Sequence, residues 1–168
     1  MDLLDRLLGH DAWTTRQLLL RCQDLTDEQL DRNFDIGHRT VRATFLHIIR
    51  NVEGWSDLMA DQPVRENQGA RPDGRSVSAL IARLDRAAAD LAQIARAVAR
   101  RDAWDEHWID RRPSPPQART YGGTIAHVIT HSMHHRAQLL YLLRLLGVRD
   151  LIEGDVLSWE AQLQREGI

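Results

Sequence analysis

The chain has 168 residues, the usual size of one domain, and we expect a single domain over residues 1–168. Its formal charge of −2 gives no overall attraction to nucleic acid or to an anionic membrane, so neither is an expected partner. The basic residues are all arginine, which excludes Schiff-base chemistry on a lysine and the phosphate-binding loop that needs one. The single cysteine, Cys22, cannot form an internal disulfide, and the first residues lack the pattern of a signal peptide. Both features predict a cytoplasmic protein in which Cys22 is a small buried hydrophobe.

Helical spacing of apolar residues dominates the first part of the sequence. Residues 2–23 carry apolar side chains at steps of three and four, which predicts an amphipathic helix. A turn with a short helical stretch is expected over residues 24–40, where Gly37 interrupts the pattern. Residues 40–60 return to the helical spacing and predict a second long helix.

The middle of the chain contains one clear helix between two irregular stretches. The segment 61–74 is polar and rich in proline and glycine, so it predicts a loop. Residues 76–100 have the cleanest helical repeat, with Ser76 as the expected N-cap. Residues 101–120 begin with either a strand or a turn of helix and end in a proline-rich run that cannot be regular helix. This stretch either borders a pocket or packs on the surface.

The last part of the chain completes the set of long helices. Residues 122–146 predict a fourth one, which ends before Gly147, a residue suited to the position after a helix. A short amphipathic helix is expected over residues 155–164. Four long helices with separate apolar faces predict an all-α four-helix bundle in an up-down-up-down arrangement. No stretch approaches the roughly 20 uncharged apolar residues that a membrane span needs.

Four of the eight histidines lie on the fourth long helix, within residues 127–135. Because an α-helix turns about 100° per residue, His127, His131 and His135 share one face while His134 points elsewhere. This face continues into the apolar face of the same helix, so it is expected to face the core. A buried imidazole needs partners for both ring nitrogens, and a divalent metal satisfies several such rings at once. His131 and His135 have the spacing of a recurring two-ligand motif.

A third metal ligand has to come from another helix. His47 is the histidine inside the second long helix, at the edge of its apolar face, where it can point toward a neighbouring helix. Three histidines leave an open coordination position, as in catalytic sites, and suit Zn, Ni, Fe, Co or Mn. The expected ligands are therefore His47, His131 and His135, with His127 as either a ligand or a supporting neighbour. The histidines expected at the surface or in local hydrogen bonds are His10, His38, His107 and His134.

Three segments of the chain resemble the DinB-like family. The stretch TIAHVITHSMHHRAQLLYLLRLLGV, with its HxxxHRAQ run, is similar to the last bundle helix of that family. The stretch TVRATFLHIIRNVEGW resembles the matching second helix, and HDAWTTRQLL resembles the tryptophan-bearing first helix. The resemblance spans about residues 3–147 and departs from the family pattern at Ala137, where glycine is common. It implies a four-helix bundle, often a homodimer, with a divalent metal on His47, His131 and His135.

The resemblance leaves the reaction open, because family members include thiol-dependent enzymes as well as proteins with no known activity. The first function we consider is a thiol transferase, in which a metal-bound low-molecular-weight thiolate attacks a small electrophile. Here Arg136 would either bind a carboxylate of the cosubstrate or simply be solvated. Asp11, a carboxylate on an apolar face, would orient a metal-bound imidazole or only make a local hydrogen bond.

Two further functions use the same site differently. A metal-dependent hydrolase would activate water, with His127 or Asp11 as the general base. A non-enzymatic metal-binding or stress-response bundle would have its site closed by a fourth protein ligand and would not respond to thiols.

Overall fold

Four long helices form the body of the protein in the computed structural model, which describes residues 1–67, 69 and 72–167. The helices are α1 (Leu3–Leu20), α2 (Asp27–Leu30), α3 (Val41–Met59), α4 (Val77–Arg100), α5 (Tyr121–Leu145) and α6 (Val156–Glu166). An antiparallel hairpin of β1 (His107–Asp110) and β2 (Gln117–Thr120) joins α4 to α5. The prediction of an all-α four-helix bundle with a short C-terminal helix is confirmed, and the start of the stretch 101–120 resolves to a strand.

Side-chain caps explain where the long helices begin. The Oγ1 atom of Thr40 accepts a hydrogen bond from the backbone N–H of Ala43, 3.0 Å away, at the start of α3. The side chains of Ser76 and Thr120 accept a backbone hydrogen bond in the same way at the starts of α4 and α5. The Ser76 cap is the one that the sequence predicts. These contacts satisfy N–H groups that have no partner inside the helix. At the other end of α5, Gly147 adopts a φ of +80°, as expected for the residue after a helix.

Two apolar clusters at opposite ends of the bundle define the directions of the helices. In the first, the ends of α1 and α5 meet the beginnings of α3 and α4. In the second, the beginnings of α1 and α5 meet the ends of α3 and α4. Members of the first are Leu18, Phe45, Leu80 and Leu142, and members of the second are Leu8, Met59, Val98 and Ile125. The order is therefore up-down-down-up, and the expected up-down-up-down order is wrong for α4 and α5.

The connection between α3 and α4 explains this difference, because it runs back along the whole of α3. Near the end of α3, Asp57 Oδ2 accepts a hydrogen bond from the backbone N–H of Arg65 at 2.9 Å. Near its beginning, Arg42 Nη1 donates to the carbonyl of Arg75 at 2.5 Å. A 19-residue helix is roughly 28 Å long, and a connection over residues 60–76 can span it. The helical spacing of the sequence cannot show whether the chain runs back along α3 before α4 begins or turns directly from α3 into an antiparallel α4.

Two buried ion pairs lie between the apolar clusters. Arg83 Nη2 donates to Glu53 Oε2 at 2.8 Å, joining α4 to α3, with side chains 2% and 5% exposed. Arg136 Nη1 donates to Asp11 Oδ1, joining α5 to α1, and these two side chains are also buried. Buried charges of this kind are tolerated only when paired, so the middle layer fixes which helices are neighbours.

No helix within the described residues has the length and the apolar character needed to cross a membrane.

Candidate metal centre

Three imidazoles from two antiparallel helices lie close together, with ring centroids 4.5–5.0 Å apart. His47 comes from α3, and His131 and His135 come from successive turns of α5. The Nε2 atom of His131 lies 3.3 Å from the Nε2 atom of His47 and 3.3 Å from that of His135. The structure thus brings together the three residues that the sequence singled out as metal ligands.

The spacing of these nitrogens fits a metal ion. Bonds of 2.0–2.1 Å at a tetrahedral angle place two ligand nitrogens about 3.4 Å apart, close to the observed 3.3 Å. The buried Nδ1 of His131 makes no hydrogen bond, and a metal bound at Nε2 would leave that atom without a partner as well. The three histidines could therefore hold a divalent ion.

A hydrogen-bond relay sets the tautomer of His135. Its Nδ1 lies 2.8 Å from Oε1 of Gln138, and the amide nitrogen of Gln138 lies 3.2 Å from Nε2 of His134. An amide oxygen can only accept, so Nδ1 of His135 carries the proton and its Nε2 keeps a free lone pair for a metal. His134 is exposed and locally hydrogen-bonded, as predicted, and it fixes the orientation of Gln138.

The electrostatics of the cluster favour neutral rings. Burial, together with the smaller effect of the neighbouring imidazoles, lowers the pKa of His47 and of His131 to about 4. The pKa of His135 is also lowered, mainly by burial. Neutral imidazole is the form that binds metals, so the ligand nitrogens are available at neutral pH without a proton to displace.

His38 is a fourth member of the cluster, and its predicted surface position is wrong. Its ring is half-buried and stacks on that of His47, with centroids 3.8 Å apart and planes at 28°. One ligand nitrogen each of His38, His47 and His135 lie within 4.8 Å of one another. His38 lies on the loop between α2 and α3, and no helical spacing relates it to the other histidines. Only its position just before the N-cap of α3 could have signalled that it lies near His47.

The prediction that His10 lies at the surface or bonds locally is also wrong. The side chain is 4% exposed, and its Nε2 lies 2.9 Å from the carbonyl oxygen of Gly154, far away in the chain. His10 therefore ties α1 to the segment that leads into α6. His107 is exposed on the hairpin, as predicted.

A cavity of about 440 Å³ lies beside the histidine cluster, between α3, β2 and the beginning of α5. Its lining consists of Trp55, Ala118, Arg119, Thr120, Gly123, Thr124 and His127. The ring of His127 connects it to the cluster, since its centroid is 5.3 Å from that of His131. The end of the stretch 101–120 therefore borders a pocket, which is one of the two roles considered for it.

The rim of this cavity carries an excess of positive charge. Asp110 is 1% exposed and accepts hydrogen bonds from Arg112 at 2.9 Å and from Arg119 at 2.8 Å. The two guanidinium groups hold the pKa of Asp110 well below its usual range. One carboxylate faces two arginines, and the Arg112 guanidinium also lies 4.2 Å from the ring centroid of Trp55. Such a rim favours an anionic group on a small ligand.

Asp11 and Arg136 are engaged with each other rather than with the cluster. Arg136 is 2% exposed, so the expectation of an accessible arginine for substrate binding is wrong. Burial raises the pKa of Asp11, and the Arg136 guanidinium opposes that rise. The contact does not support Asp11 as the residue that orients a metal ligand, and an arginine that does line the cavity beside the cluster is Arg119.

The fold and the cluster define a class of protein: a helical bundle with clustered histidines that could bind a metal, among them His38, His47 and His135. The family model described as DinB family matches residues 1–162, and the chain belongs to the DinB family. A search of curated proteins finds no match.

Proposed function

We propose that the protein is a metal-dependent enzyme that transfers a low-molecular-weight thiol to a small electrophile. The metal would be Zn, Ni, Fe, Co or Mn, held by His47, His131 and His135. The observation that carries the proposal is the 3.3 Å spacing of their Nε2 atoms beside a cavity large enough for a small molecule. A divalent ion bound there lowers the pKa of a coordinated thiol and so supplies a thiolate at neutral pH.

The residues around the cavity have distinct roles in this reaction. Arg119 takes the place first considered for Arg136 and binds an anionic group of the cosubstrate. His127, exposed at the cavity wall, accepts the thiol proton. The sulfur then forms a bond to the electrophilic carbon, and the leaving group departs with its electron pair. Trp55 provides an apolar wall for the electrophile.

Cobalt-substituted protein provides the test of thiol binding. Titration with glutathione, bacillithiol and mycothiol in turn should give an intense thiolate-to-metal charge-transfer band with at least one of them. The band should be lost in His131→Ala and retained in His107→Ala, a matched control on the exposed hairpin. Cobalt-loaded protein that shows no such band with any of the three thiols would overturn the transferase proposal.

A metal-dependent hydrolase is the second candidate, and the position of His127 favours it. The imidazole borders the cavity and lies one helical turn from His131, where it can act as general base toward a water molecule. Asp11 does not fit that role because it is buried against Arg136. Ester hydrolysis that requires metal, fails in His127→Ala and is unaffected by thiols would favour the hydrolase over the transferase.

We further propose that the chain forms a homodimer through α5. Its outer face carries exposed side chains four residues apart, namely Met133, Ala137, Tyr141 and Leu145. A continuous apolar face of this kind is typical of a surface that a partner covers. Ala137, which stands where the family often has glycine, lies on this face. Sedimentation should show a dimer for the natural chain and a monomer for Tyr141→Glu, and a monomer for both would contradict the proposal.

A further inference from the structure

The histidine cluster contains one imidazole more than the proposed function uses. His38 contacts the ring of His47 at a centroid distance of 3.8 Å and that of His135 at 5.0 Å. It is not required to fill a hydrophobic core, because the apolar clusters are made by other residues.

The observed orientation places His38 beside the metal position rather than on it. The two rings stack with centroids 3.8 Å apart and planes at 28°, so a metal in the plane of the His47 ring would lie well outside the plane of the His38 ring. One ligand nitrogen each of His38, His47 and His135 lie within 4.8 Å of one another. Nε2 of His131, by contrast, lies 3.3 Å from Nε2 of His47 and from Nε2 of His135. A change of side-chain rotamer moves an imidazole nitrogen by more than this difference.

The backbone at His38 differs from that at the other three histidines. They are fixed on long helices, whereas His38 lies between Gly37 with a φ of +48° and Arg39 with a φ of +70°. The loop is held close to the site, because a Cβ atom on Gly37 would lie 2.4 Å from Oε1 of Gln138. His38 is thus presented to the cluster from a loop rather than from α3 or α5.

We propose that His38 is an exchangeable fourth ligand of this metal site. In the resting protein it turns from its stacked position to complete a tetrahedral set with His47, His131 and His135. An arriving thiol would take the place of His38 on the metal, and the thiol proton would pass to His127, as in the proposed function. His38 then stacks on His47, as the structure shows it. This inference rests on the proposed function and adds that the site is closed until substrate opens it.

Proton NMR of the cobalt-substituted full chain tests the proposal directly. Each imidazole bound through one nitrogen keeps an N–H on the other, and that proton gives a strongly shifted, exchangeable signal. We expect four such signals from the natural chain and three from His38→Ala, with four retained in His107→Ala. Addition of 2-mercaptoethanol should reduce the four signals of the natural chain to three.

The outcomes separate this inference from the proposed function. Three signals from the cobalt-loaded natural chain, unchanged in His38→Ala, would overturn the exchangeable ligand while leaving the three-histidine site intact. No cobalt uptake by the natural chain would overturn both. The count on the natural chain needs no variant, so a His38→Ala protein that fails to fold does not affect the test. Where it folds, it should bind cobalt at least tenfold more weakly and the thiol more tightly.

Discussion

Replacement of Gly37 by alanine should weaken both the fold and the metal site, for separate reasons. The φ of +48° is unfavourable for alanine and costs about 1–2 kcal/mol of stability. The new Cβ atom would also lie 2.4 Å from Oε1 of Gln138, a flexible side chain that can move away. That movement breaks the 2.8 Å hydrogen bond to Nδ1 of His135, whose net contribution to stability is about 0.5–1.5 kcal/mol. The expected total loss is roughly 1.5–3.5 kcal/mol.

The loss of this hydrogen bond should also reduce metal affinity. Partners of ligand imidazoles typically contribute 10–100-fold to affinity, or about 1.4–2.7 kcal/mol, because they fix the ring and its tautomer. Urea denaturation of the metal-free protein measures the first effect, and competition with a chromophoric chelator for zinc measures the second. Gly37→Ala should change both quantities.

Two matched variants separate the contributions. Gly147→Ala introduces the same backbone strain, at a φ of +80°, where a Cβ atom has no neighbour within 4 Å. It should lower stability and leave zinc affinity unchanged. Gln138→Ala should lower zinc affinity without the backbone strain. If Gly37→Ala bound zinc as tightly as Gly147→Ala does, Gln138 would not be what holds His135, and the reasoning would be refuted.

Three further predictions concern the core, the cluster and the cysteine. Arg83→Met should lose about 3–5 kcal/mol in urea denaturation, because Glu53 stays buried without its partner, and replacing Glu53 by leucine as well should recover most of the loss. Two independent, additive losses would contradict this coupling. The pKa of His47 and of His131 is lowered from 6.5 to about 4, so the unfolded chain binds more protons between these values. The stability of the metal-free protein should therefore fall as the pH falls from 6.5 to 4, and a double alanine variant with an equally steep fall would refute the assignment. Burial raises the pKa of Cys22 to about 12, so its thiol should react with a disulfide reagent at pH 8 only after unfolding; rapid reaction of the native protein would contradict its burial.

The sequence predicts the parts of the site that lie on helices. The spacing of His131 and His135 fixes their common face wherever the helix packs, and the structure brings them together as expected. His47 could be selected because it lies at the edge of an apolar face. The burial of Cys22, at 0% exposure, is confirmed as well, although α1 ends at Leu20 and the cysteine lies in the turn that follows it.

The sequence does not reveal which elements come together from different parts of the chain. Arg136 looked accessible, because nothing in its own helix shows that Asp11 of α1 faces it in the core. His38 was missed because a loop has no periodicity that assigns its side chains to a face. The direction of α4 was wrong for a related reason: the course of a long connection depends on contacts such as that of Arg65 with Asp57, which only the folded chain makes.

Metal content is the measurement that tests the central claim most directly. Tag-free protein should be analysed by elemental mass spectrometry, both as isolated and after exposure to Zn, Ni and Mn, beside His131→Ala and the control His107→Ala. We expect about one divalent ion per chain in the natural protein and in the control, and a loss of that ion in His131→Ala. A natural chain that stays empty under all these conditions would contradict the metal site, and with it both enzymatic proposals.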